Sequence, residues 1–115
     1  MDESILNNQL EVCSKYHTVH FPTPNDTKLG ISRSVAHGVY PIHGLRHPPE
    51  STTSGWFVYA GEFSQDSQFF EPIHVAHVTN RCPEILPYLG LPPGWRFLLA
   101  QDYVDVWFDE SLVKI

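Results

Sequence analysis

Positive charge is scarce in this chain of 115 residues. Seven lysines and arginines stand against thirteen aspartates and glutamates, for a formal charge of −6. A general nucleic-acid binder needs a basic footprint, so the balance argues against that class. Long apolar runs are also missing. None approaches the roughly 20 residues a membrane-spanning helix requires. The opening Met1-Asp2-Glu3-Ser4 is acidic, without the basic and apolar regions of a secretory signal, and none is expected. Cysteine is limited to Cys13 and Cys82. They are far apart and lack metal or redox spacing, so reduced, buried thiols of a cytosolic protein are expected rather than a disulfide. Equally absent are the Cys-x-x-Cys and His-Glu-x-x-His metal patterns, the Gly-x-Ser-x-Gly nucleophile elbow and the glycine-rich phosphate loops.

What is present is turn-forming and aromatic. Ten prolines and seven glycines predict short elements joined by many turns. Hydrophobic residues make up 42% of the chain and aromatics 13%, which fits one ordered domain with a single core. Asp2 or Ser4 can cap a helix running to Tyr16, with Leu6, Leu10 and Cys13 on its inner face. His20 to Asp26, with Pro22 and Pro24, predicts an extended linker. Leu29, Ile31 and Val35 alternate with Gly30, Ser32, Ser34 and Ala36, which predicts a strand over 29–36. Val39 to Leu45 predicts a second strand, demoted to an edge or bulged position by Pro41. Trp56-Phe57-Val58-Tyr59-Ala60 carries the strongest strand signal and belongs inside the sheet. Glu62 to Gln68 reads as a polar loop. Pro72 to Asn80 and Pro83 to Leu89 predict short helices, the second with Gly90 just past its end. Pro92-Pro93-Gly94 predicts a rigid turn feeding a hairpin of Trp95 to Ala100 and Val104 to Asp109. The expected architecture is α+β: an antiparallel sheet of four to five strands with short helices packed on one face.

Chemistry is harder to find. The near pairs His43 and His47, and His74 and His77, invite a metal reading. On a helix, His74 and His77 would share a face, and His43 or His47 could complete a set. Arg33, Arg46 and Arg96 interrupt apolar patterns, and each is expected to pair with a carboxylate at the core edge. On the last strand Asp105, Trp107 and Asp109 share one face, an unusual grouping for a buried surface. Trp107 is therefore the aromatic expected to be partly exposed, and Trp is a strong interface anchor.

Three stretches also carry a resemblance: Gly30-Ile31-Ser32-Arg33-Ser34-Val35, then Ser54-Gly55-Trp56-Phe57-Val58-Tyr59-Ala60-Gly61-Glu62, then Pro93-Gly94-Trp95-Arg96-Phe97. Taken in order they resemble the thirty-third immunity-protein class of bacterial polymorphic toxin systems, formerly a domain of unknown function. On this basis residues 1–115 form one domain, with an N-terminal helix and linker over 1–27 and a family-like core over 28–115. The resemblance implies a cytoplasmic immunity protein that binds a cognate toxin domain by protein contact, with no catalysis and no cofactor. Neither a nucleic-acid nor a membrane partner is expected. The expected partner-binding residues are Asp102, Asp105, Trp107, Asp109 and Glu110: the tryptophan as anchor, the carboxylates for steering. The alternative is a small histidine-dependent metal-binding protein or metalloenzyme. An effector chaperone or adaptor is a third, related role.

Overall fold

The computed structural model describes residues 3–114, with the side chain of Ala36 left aside. The proposed cap Asp2 lies outside the described residues. Six strands carry the fold: β1 Lys28–Ser32, β2 Ile42–Arg46, β3 Thr53–Ala60, β4 Phe70–His74, β5 Trp95–Leu99 and β6 Val104–Phe108. They form one sheet in the spatial order β4-β1-β3-β2-β5-β6. Two helices, α1 Glu3–Lys15 and α2 Val78–Arg81, accompany 3-10 turns at Arg33–His37, Val75–His77, Pro83–Tyr88 and Glu110–Leu112. The α+β class is as expected, with six strands rather than four or five. The sheet is mixed, because β1 runs parallel to β3 while the other pairings are antiparallel.

β3 is interior, between β1 and β2, as its aromatic and β-branched run predicts. Its residues Trp56 and Val58 join Leu29, Ile31, Ile42, Phe97, Leu99 and Val106 on one face of the sheet, all buried. Cys13, Val35, Val75, Val78, Ile85 and Leu89 cover that face. Gly44 is required there: a Cβ at this position would overlap the ring of Phe97.

Several elements depart from expectation. α1 turns a different stripe inward, because Gln9 and Cys13 are buried while Leu6 and Leu10 are exposed. The reason is polar. Gln9 Nε2 donates to the Leu86 carbonyl at 3.0 Å, its Oε1 lies 2.9 Å from His20 Nε2, and the Cys13 thiol donates to the Gly90 carbonyl at 3.4 Å. β1 stops at Ser32 instead of running on to residue 36. Ser32 and Ser34 bond to each other at 2.7 Å, and Ser34 Oγ donates to the Ala60 carbonyl at 2.9 Å. Serine side chains thus replace the ladder and let the chain curl. β2 is an interior strand, not an edge; Pro41 stands just before it and takes no donor from its ladder. Pro72 lies in the edge strand β4 rather than opening a helix, and an edge strand tolerates proline because one of its sides has no ladder. The loop 100–103 of the terminal hairpin is closed by the Ala100 N–H donating to the Tyr103 carbonyl at 2.8 Å. Before it, Gly94 adopts φ 95°, a left-handed conformation that favours glycine.

Arg46 ends β2 with no solvent exposure, and no carboxylate pairs with it among the described residues. Four backbone carbonyls take that role. Nε donates to Ser54 at 3.0 Å, Nη1 to Phe21 at 2.9 Å and Leu91 at 2.8 Å, and Nη2 to Pro22 at 3.2 Å. The guanidinium carbon lies 4.8 Å from the Phe21 ring centre and 5.5 Å from that of Trp56. Burial pulls its pKa down to about 10. The linker, the turn before the hairpin and β3 are all held by this one side chain. Lysine has no planar fork to reproduce the bonds, and methionine leaves the carbonyls bare. Urea denaturation should therefore find Arg46→Lys and Arg46→Met each destabilised by about 3–5 kcal/mol; a loss below about 1 kcal/mol would refute this role.

Candidate functional site

The helices and the first three 3-10 turns pack on one face of the sheet, and the opposite face carries a continuous set of side chains. Strand register aligns them in rows. Phe57, Leu45, Arg96 and Trp107 are successive neighbours across β3, β2, β5 and β6. The adjacent row is Tyr59, His43, Leu98 and Asp105. Gly30 lies opposite Phe57 in β1, and a Cβ there would approach the Phe57 ring to 2.8 Å.

On the β3–β4 side this open face is aromatic. The loop 61–69 sends Phe63 over the sheet, where its ring centre lies 5.5 Å from that of Tyr59 and 5.6 Å from that of Phe69. Phe70 meets Phe57 edge-on at 5.2 Å. Between these rings and the next strands lies a hollow of about 540 Å³, lined by Leu45, His47, Phe57, Tyr59, Phe63, Phe70 and Arg96. Its size is that of a ligand or side-chain pocket. Phe63 remains 56% exposed, so it is a rim residue and not core.

On the β5–β6 side the face is charged. Arg96 Nη1 donates to Asp109 Oδ2 at 3.1 Å, and its guanidinium carbon lies 5.7 Å from the Trp107 ring centre. Its Nε is buried without a hydrogen-bond partner among the described residues. Asp109 also accepts from the Ser111 N–H at 3.0 Å and the Ser111 hydroxyl at 2.6 Å. The Ser111 hydroxyl, then Arg96, hold its carboxyl below the usual aspartate range.

The residues singled out from sequence fall into two groups. Asp105 and Trp107 lie on the open face of β6, with Trp107 partly exposed as expected. Asp102 lies in the exposed hairpin loop, and Glu110 begins the last 3-10 turn, also exposed. Asp109 differs from expectation. It lies one residue past β6 and caps the turn, and its carboxylate is committed to Ser111 and Arg96. It holds Arg96 beside Trp107 rather than facing outward. Of the three arginines expected to pair with carboxylates, Arg96 does so, Arg46 uses carbonyls, and Arg33 is exposed.

The histidine set does not assemble. His74 ends β4 and His77 closes a 3-10 turn, so they do not share a helix face, and their rings are 6.1 Å apart. His43 stacks on Tyr59 at 4.6 Å, and His47 meets Phe57 edge-on at 5.7 Å. Among the described residues no three His, Cys, Asp or Glu side chains converge to hold a metal. Neither cysteine is a reactive thiol by environment: both are buried, and burial pushes Cys82 up to about 12.

The aromatic half was missed in the sequence. Its signal was there: Phe63, Phe69 and Phe70 interrupt a segment otherwise made of serine, glutamine and acids.

A family model described as the Imm33-like domain matches residues 8–109. The match begins within α1, well before Leu29, where the resemblance read from the motifs starts. The chain matches no curated protein and no solved structure.

The imidazole of His43 is held below its ordinary pKa, by burial first and then by the charge of Arg96. An unfolded histidine titrates near 6.5, so the unfolded chain binds more protons between that value and the lower folded one. Stability should fall as pH drops from about 6.5 through the folded pKa. Replacing the ring by His43→Phe should flatten the melting temperature across this window; a slope equal to that of the unsubstituted chain would contradict the assignment.

Proposed function

The chain belongs to the Imm33-like domain family, an immunity-protein family, and from this premise we propose that it binds a cognate bacterial toxin in the cytoplasm and neutralises it by protein contact, without chemistry of its own. The observation that carries the reading is the asymmetry of the sheet. One face is closed by α1, α2 and the first three 3-10 turns, while the other presents Trp107, Asp105 and the aromatic cluster of Phe63, Phe69 and Phe70 beside the buried Tyr59.

Trp107 supplies a large, rigid contact surface, held in place by Arg96 and Asp109. Asp102, Asp105 and Glu110 are exposed, and no salt bridge engages them among the described residues. With a net charge of −6 they favour a basic partner and speed its encounter at low salt. Two free, buried thiols suit a reducing compartment.

The test uses a candidate toxin domain, sought in the genes that neighbour that of this chain. A Trp107→Ala, Asp105→Asn double variant should bind it at least about 30-fold more weakly, through the lost anchor and a slower, less salt-sensitive association. Circular dichroism establishes that the variant is folded. Unchanged affinity would remove this surface from the account.

A further inference from the structure

The hollow on the aromatic half of the open face has a chemistry distinct from that of the Trp107 patch. Its floor and walls are carbon: Leu45, Phe57, Tyr59, Phe63 and Phe70. The one cation that lines it is Arg96, and Asp109 neutralises that charge at 3.1 Å. A positively charged visitor is therefore not repelled. Acids stand on both flanks. The loop that carries Phe63 also carries Glu62 and Asp66, both exposed. Across the face, Asp105 and Glu110 are exposed as well. An apolar depression between two acidic borders is complementary to an apolar side chain set among cations.

We propose, resting on the reading above, that this hollow receives an apolar anchor from the basic toxin partner, with lysines or arginines beside that anchor meeting the acids on the two flanks. Phe63 closes the outer wall over the anchor. Being more than half exposed, it gains burial only when the hollow is filled. Trp107 and the hollow then form two contact points on one surface, joined by Arg96, which touches both. The alternatives, an acidic partner or a purely polar one, are outcomes of the test.

The isotope-labelled full chain is titrated with three short capped peptides. One has a Phe-Leu pair between lysines and arginines. The second replaces the cations by glutamates, and the third replaces the apolar pair by Ser-Gly. The proposal expects the first alone to shift the amides of Leu45, Phe57 and Phe63, and the Phe63→Ala variant to lose the shifts. Equal shifts from the acidic or the Ser-Gly peptide, shifts confined to another surface, or none at all would overturn it. With the toxin domain itself, Phe63→Ala should weaken binding roughly tenfold or more. If the unsubstituted chain binds the toxin and Phe63→Ala binds as tightly, the hollow is not the anchor site while the immunity reading stands. If the unsubstituted chain does not bind the toxin, the immunity reading itself fails, and the proposal falls with it.

Discussion

Arg46 places a full charge where no water reaches it, and the chain around it is arranged to make that tolerable. A buried guanidinium without partners would be prohibitively costly. Here three different segments bring carbonyls to it: the linker at Phe21 and Pro22, the turn approach at Leu91, and β3 at Ser54. The bonds run in both directions, since the Arg46 carbonyl accepts from the Gly94 N–H at 2.7 Å. Gly94 in turn accepts from the Asp109 N–H at 2.7 Å. A path of hydrogen bonds thus leads from the buried charge to the residue that holds Arg96 beside Trp107. The core of the fold and the charged half of its open face share one anchor.

The same arrangement explains why the two faces differ. Thr23, buried beside this centre, accepts from Trp56 Nε1 at 3.0 Å and donates to the Leu89 carbonyl. Together with Gln9 and Cys13 it ties the N-terminal segment to the Leu86–Gly90 stretch on the covered side. The coverings are secured by hydrogen bonds as well as by apolar contact, so they are committed to one side of the sheet. On the opposite side the large side chains lie under no α-helix among the described residues. Exposed aromatic surface next to unpaired carboxylates is poor material for a closed core and good material for a protein interface.

Much of this was legible in the residues, and the gaps have physical causes. Trp56 to Ala60 announced a central strand because aromatic and β-branched residues without polar interruption suit a strand buried on both sides. Pro92-Pro93-Gly94 announced the turn before the hairpin because the needed φ values leave few other residues. The parallel pairing of β1 with β3 was not legible, since alternation encodes which face a residue takes and not which way its neighbour runs. β4 was hidden by Pro72, which suits a helix start as well as an edge strand. The burial of Gln9 was not legible, and Arg46 was expected to meet a carboxylate, because the carbonyls that satisfy these side chains lie far away in sequence. On the candidate site, Asp105 and Trp107 were legible from strand alternation. The aromatic hollow was not, because Phe63 reaches it only through the path of the loop.

The central claim is that this protein acts through the uncovered face of its sheet. Hydroxyl-radical footprinting of the chain alone and in complex with the toxin domain it is proposed to bind tests this directly. Phe63 and Trp107 should become protected in the complex, while Leu6 and Leu10 on the outer side of α1 stay as reactive as before. Protection of α1 with Phe63 and Trp107 unchanged would contradict the account.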